Sequence, residues 1–111
     1  MYNILIVDDS TDLVDMVTHL YARRNFIITS ARSKDDLRLV LERIKPDLIL
    51  LDVILESSDG RTLCKELKST DPYKDIPIIL MSGDHERLQN YREVFADDIL
   101  EKPFTAETIL L

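Results

Sequence analysis

Ile4-Leu5-Ile6-Val7-Asp8-Asp9-Ser10 is an apolar run that stops on two aspartates, and the same pattern recurs three times along the chain. Leu48-Ile49-Leu50-Leu51 ends on Asp52, Ile78-Ile79-Leu80-Met81 ends on Ser82, and Ile99-Leu100-Glu101 leads into Lys102. Short apolar runs bounded by polar residues suit strands covered on both faces, as in a parallel sheet. If these strands run parallel, Asp9, Asp52, Ser82 and Lys102 all project from their carboxyl ends. In open α/β sheets that edge is where ligands bind. The pattern therefore gathers carboxylates, a hydroxyl and an ammonium in one pocket.

Helical spacing alternates with the strand signals. Leu13, Val14, Val17, Leu20 and Tyr21 form one face of a helix ending near Arg23-Arg24. Phe26 to Ser30, β-branched at Ile27, Ile28 and Thr29, reads as the second strand. Ser33 with Asp36 approximates a capping box and opens a helix with Leu37, Val40, Leu41 and Ile44 on one side, stopped by Pro46. A short helix after Gly60 turns Leu63, Cys64 and Leu67 inward, and Pro72 and Pro77 bracket the next loop. A polar fourth helix is expected from Glu86 to Val94, with Leu88, Tyr91 and Val94 as its apolar side. A fifth is expected from Thr105, a cap for Ala106 to Leu111. The alternation implies an α/β domain with right-handed crossovers and a parallel sheet covered on both faces. One domain over residues 1–111 is expected, its last helix short enough to be read as truncated.

Composition narrows the function. The net charge of −7 disfavours nonspecific nucleic-acid binding, which needs clustered cations. A single cysteine, Cys64, excludes an intramolecular disulfide and a multi-cysteine metal site, and it is expected to be a small buried hydrophobe. Gly60 and Gly83 are the only glycines, so there is no glycine-rich nucleotide loop of a kinase or GTPase. His19 and His85 lack paired spacing and are read as surface residues. The start Met1-Tyr2-Asn3 is not a basic signal region, and no apolar stretch approaches the roughly 20 residues of a membrane span. A cytoplasmic location without membrane contact is expected.

Five motifs in order carry a resemblance: Ile6-Val7-Asp8-Asp9-Ser10, Leu51-Asp52-Val53 with Asp59-Gly60, Met81-Ser82-Gly83, Ala96-Asp97-Asp98, and Lys102-Pro103-Phe104. Taken singly, each aspartate is accounted for as a helix cap, Ser82 as an N-cap and Lys102 as a surface lysine. Together they resemble a response-regulator receiver domain of bacterial two-component signalling over essentially the whole chain. The resemblance implies a flavodoxin-like five-stranded sheet of order 2-1-3-4-5. It implies Asp52 as phosphoacceptor, with Lys102 and Ser82 contacting phosphoryl oxygens. It implies Mg²⁺ on Asp9, Asp52 and the backbone carbonyl of Ile54, with Asp8 acting through water. The Lys102–Pro103 bond is expected to be cis. A histidine kinase or phosphotransfer protein would be the donor. An output domain or partner protein would read the face of the fourth helix, fifth strand and fifth helix, which is also a candidate homodimer face.

The chain departs from the family in four places. Leu55-Glu56 stands where Met-Pro is common, Ile54 is bulky and apolar two residues after Asp52, and Phe95 replaces a frequent glycine. From that last change the fourth helix is expected to end without a left-handed cap. Ile99 replaces the aromatic that, with the hydroxyl at Ser82, forms the family's switch. The expected function is a phosphoacceptor switch rather than an enzyme acting on a metabolite. One alternative is a Mg²⁺-dependent aspartate-nucleophile phosphohydrolase, disfavoured because Ile54 occupies the place of its second acid. The other is a receiver-like binding module that does not cycle phosphate.

Overall fold

The computed structural model describes residues 2–22, 24–56 and 58–102. The fifth helix from Thr105, the Lys102–Pro103 bond and Phe104 lie outside them. In chain order the elements are β1 (Tyr2–Val7), α1 (Thr11–Ala22), β2 (Phe26–Ala31), α2 (Lys34–Arg43), β3 (Leu48–Asp52), β4 (Ile54–Leu55), β5 (Ser58–Asp59), α3 (Gly60–Lys68), β6 (Ile78–Ser82), α4 (His85–Leu88), a 3₁₀ turn (Tyr91–Val94) and β7 (Asp98–Glu101). Five strands form one parallel sheet in the order β2-β1-β3-β6-β7. Counting main-sheet strands alone, that is 2-1-3-4-5, the flavodoxin-like order.

The apolar runs are strands because their side chains have two faces to bury. Leu5, Val7, Ile49, Leu51, Ile78 and Leu80 point into one core with Leu37 and Leu41 of α2, Leu63, Cys64 and Leu67 of α3, and Leu88 of α4. The alternate residues Ile4, Ile6, Leu50 and Met81 form the other core with Val17 and Tyr21 of α1. Period-two alternation thus splits each run between two layers, and each fully buried Ile or Leu contributes about 1.5–3 kcal/mol. Phe26 extends the second core at the β2 edge, stacking edge-on against Tyr21 with centroids 5.1 Å apart.

Local chemistry modifies two expected helices. Ser33 caps α2 by accepting the Asp36 N–H, but Asp36 returns its carboxylate to the N–H of Arg32, not to that of Ser33. The expected fourth helix is two pieces. Leu88, Tyr91 and Val94 recur every three residues, which aligns them on a helix of three residues per turn rather than 3.6. After the single turn of α4 the chain accordingly resumes as a 3₁₀ turn. That turn does end in a left-handed cap, contrary to the sequence expectation. Phe95 has φ 65° and ψ 21°, and its N–H and that of Ala96 bond back to Arg92 and Tyr91. The backbone geometry needed to close the turn prevails over the steric preference of Phe.

A hairpin absent from the sequence reading follows β3. Ile54 pairs with Asp59 and Leu55 with Ser58, antiparallel. It returns the chain so that α3 begins against the end of β3. The Gly60 N–H donates to Val53 O at 2.7 Å, and a Cβ on Gly60 would lie 2.0 Å from the backbone oxygen of Asp52. Only glycine permits this approach.

Two stability predictions follow from these contacts. Gly60→Ala forces α3 away from Asp52 and should cost about 3 kcal/mol or more, read as a fall of roughly 12 °C or more in melting temperature. A variant melting within a few degrees of the parent would show that the contact is soft. Phe95→Gly relieves a left-handed penalty of about 1–2 kcal/mol against a smaller loss from the freer unfolded chain. Denaturant titration should show a net gain of about 0.5 kcal/mol, with no gain for Phe95→Ala.

Candidate functional site

The sheet's hydrogen-bond ladder continues one residue past the strands, and this holds the polar residues in place. Asp8 N–H donates to Ala31 O at 3.0 Å, Val53 N–H to Met81 O at 2.9 Å, and Lys102 N–H to Ser82 O at 2.8 Å. Asp8 at the end of β1, Asp52 of β3, Ser82 of β6 and Lys102 after β7 therefore stand along four adjacent strands at one edge.

Asp8, Asp52 and Ser82 are the buried polar residues at this edge, at 1%, 6% and 1% exposure. Lys102 reaches back over β6 to serve both carboxylates. Its Nζ donates to Asp8 Oδ2 at 2.7 Å and lies 3.4 Å from Asp52 Oδ2. The other Asp8 oxygen accepts the Ser10 N–H at 2.9 Å, and the other Asp52 oxygen accepts the Ile54 N–H at 3.4 Å. Asp52 is still held above the ordinary carboxylate range. Burial is the main cause and the charge of Asp8 the next, while Lys102 and the Ile54 N–H pull the other way without cancelling them. Asp52 thus has an electrostatic debt that one lysine does not clear.

Asp9 stands at the mouth, exposed. One carboxylate oxygen from each of Asp8, Asp9 and Asp52 lies within 4.8 Å of the others. Oxygens around an octahedral Mg²⁺ at 2.0–2.1 Å are roughly 3–4 Å apart, so a small contraction suffices. An all-oxygen, anionic donor set beside a carboxylate strained by its neighbour fits a hard divalent cation.

Ser82 is not bonded to the carboxylates. Its Oγ accepts the Asp84 N–H at 3.0 Å, and Asp84 in turn caps α4 through Glu86 N–H. Ile99 pairs with Leu80 and packs, half-buried, on the larger core, so it sits beneath the site rather than in it. Ile54 is 52% exposed at the hairpin's start, and its backbone N–H is the group that meets the Asp52 carboxylate. His19 and His85 are exposed, and Cys64 is fully buried with its thiol pushed up to about 11 by that burial.

Two contributors escaped the sequence reading. The close approach of Gly60 had a signal: one of only two glycines begins a helix, where alanine would be the better helix former. The side chain of Arg32 had none, since its partners are the Asp9 carbonyl at 3.3 Å and the Thr11 hydroxyl at 3.4 Å.

Among curated proteins, the chain is 30% identical over 113 residues to the DNA-binding dual master transcriptional regulator RpaA of Synechocystis, covering 99% of this chain and 46% of that protein. It is 33% identical over 109 residues to the phosphate regulon transcriptional regulatory protein PhoB of Pseudomonas aeruginosa, covering 96% of this chain and 48% of that protein. The chain thus spans about half the length of these relatives. Among solved structures, the chemotaxis response regulator CheY4 of Vibrio cholerae superposes with a TM-score of 0.90 at 28% identity, covering 99% of this chain and 93% of that one. No helix among the described residues is long and apolar enough to cross a membrane. The model of the response regulator receiver domain matches residues 4–111, and the chain belongs to that family.

Proposed function

We propose that Asp52 accepts a phosphoryl group from a phosphohistidine of a histidine kinase or phosphotransfer protein, and that the chain is one receiver domain over residues 1–111. The observation that carries this reading is the buried Asp52 carboxylate at the sheet edge, 3.4 Å from the Lys102 ammonium and crowded by Asp8 and Asp9. An Asp52 oxygen attacks phosphorus and the P–N bond breaks. Its electron pair returns to the imidazole, which takes a proton from solvent and leaves neutral. Mg²⁺ held by Asp9, Asp52 and the Ile54 carbonyl, with Asp8 through water, would supply positive charge opposite the phosphoryl oxygens. Lys102 shifts from the carboxylates to a phosphoryl oxygen. Ser82 donates its hydroxyl proton to another; its oxygen already accepts from Asp84, so the proton is free for this use.

The bound phosphoryl adds about −1.5 to −2 charge. Movement of Ser82 toward it draws on the Asp84 turn that caps α4, and Ile99 repacks beneath. The face of α4, β7 and the following segment then changes for an output domain, a partner protein or a second copy. The domain acts on no external metabolite; it catalyses its own phosphotransfer and dephosphorylation, in the cytoplasm. RpaA and PhoB are named as transcriptional regulators and CheY4 as a chemotaxis protein. Relatives thus serve different outputs, and the output of this chain is left to the segment or partner that it meets.

Acetyl phosphate with Mg²⁺ should add one phosphoryl group, seen by intact mass and labile to hydroxylamine, and Asp52→Asn should abolish it because an amide is not a comparable nucleophile. Equal labelling of the variant would place the acceptor elsewhere.

The lifetime of that phosphate depends on water access. Asp84 is poorly placed to orient a water, since its carboxylate is engaged by Glu86 N–H and Arg87 Nε. On this reading the exposed side chain of Ile54, two residues after Asp52, supplies apolar cover against that water. Ile54→Asn should shorten the half-life several-fold, on the order of 1 kcal/mol in barrier, followed after donor removal at saturating Mg²⁺. A phosphate that lasts as long in the variant would rule out shielding.

A further inference from the structure

Asp9 differs from its two acidic neighbours in how it is held. The Asp8 carboxylate is fixed by Ser10 N–H and Lys102, and that of Asp52 by Ile54 N–H and Lys102. Among the described residues, the Asp9 carboxylate has no hydrogen bond or ion pair, so its direction is set by its own backbone. That backbone is gripped from β2. Asp8 N–H is tied to Ala31 O, and Arg32 continues the grip with both arms of its guanidinium. One arm donates to the Asp9 carbonyl at 3.3 Å and the other to the Thr11 hydroxyl at 3.4 Å, on either side of Ser10, whose Oγ accepts Leu13 N–H in the first turn of α1. Arg32 is itself anchored, its N–H donating to Asp36 Oδ2 at 2.9 Å in the first turn of α2. A planar fork reaching two acceptors at once fixes the loop between them, which a point-charge ammonium cannot do.

We propose that Arg32 is a positioning residue for Asp9 and thereby sets the affinity of the acidic cluster for a divalent cation. The proposal rests on the reading of Asp8, Asp9 and Asp52 as a Mg²⁺ site. Positioning and charge have opposite consequences here. A guanidinium beside the site repels a cation, so a merely electrostatic Arg32 would tighten binding when removed. Removing a positioning Arg32 would weaken it. The repulsive part is screened by salt, whereas the positional part is not.

Isothermal titration of the full chain with Mg²⁺, at low salt and at roughly 0.5 M salt, decides between them. Arg32→Ala should bind Mg²⁺ at least about fivefold more weakly than the parent at both salt concentrations, and Arg32→Lys should recover only part of that loss. In the metal-free proteins, amide resonances of Asp9, Ser10 and Thr11 should shift in Arg32→Ala while those of Val53 and Lys102 stay in place. Equal or tighter binding by Arg32→Ala overturns the proposal, as does full recovery by lysine. Asp9→Asn tests the underlying site separately. It should lose most of the binding, and parental affinity in that variant would place the metal elsewhere whatever Arg32 does.

Discussion

Two carboxylates withdrawn from water at the end of a sheet need a cation, and Lys102 is the cation that the fold delivers. The Asp8 side chain has no exposure and that of Asp52 has 8%, while Lys102 retains 25%. Burying such a group without a partner costs several kcal/mol. Three strand spacings separate β1 from β7, about 14 Å at 4.8 Å each, more than a lysine side chain spans alone, so Lys102 and Asp8 must lean toward each other over β6 and β3 to meet. This requirement ties the sheet order, the length of β7 and the ladder bond from Lys102 N–H to Ser82 O into one arrangement. The pairing is nevertheless incomplete: two anions share one ammonium, and Asp52 remains the strained partner. The same crowding that disfavours ionised Asp52 favours an added positive charge beside it, as the proposed cation site requires.

What could be read from the chain was whatever leaves a periodic or positional trace. Three of the apolar runs announced strands because their two buried faces admit almost no polar residue until the strand ends, where the chemistry begins; at the edge, β7 keeps only Ile99 and Leu100, half-buried between exposed Asp98 and Glu101. The strand ends therefore bring Asp8, Asp9, Asp52 and Lys102 to one edge on the sequence alone. Shorter or non-periodic devices were not legible. The hairpin of Ile54–Leu55 with Ser58–Asp59 has two residues a side, too few for alternation to register. Leu88, Tyr91 and Val94 are compatible with an α-helical i, i+3 stripe and with a 3₁₀ turn, and only the observed bonds distinguish them. Phe95 was read by its own preference, whereas closure of the turn decided its φ. Arg32 was invisible for a different reason: its partners are a carbonyl and a hydroxyl that nothing in an arginine's identity foretells.

The two ends of the polar edge differ in how firmly they are held. At the β1, β3 and β7 positions, ladder bonds run past the strands and the carboxylates are pinned from two sides. At the β6 position, the chain leaves Ser82 through Gly83 into a single helical turn whose closing bonds are Arg87 N–H to Asp84 O at 3.1 Å and Gln89 N–H to Glu86 O at 3.3 Å. A four-residue helix has little cooperativity to resist displacement. Rigid charges on one side and a lightly held turn on the other are the mechanical requirements of a switch. On the proposed function, charge added at Asp52 would meet an Asp8 held by Ser10 N–H, Lys102 and the ladder, which would direct reorganisation toward Ser82 and α4. Leu88, fully buried in the larger core, couples that turn to the sheet, as does His85 through its contact with Glu101 of β7 at 3.5 Å. Under the proposed function, movement there would carry core packing with it and turn a local change of charge into a change of surface.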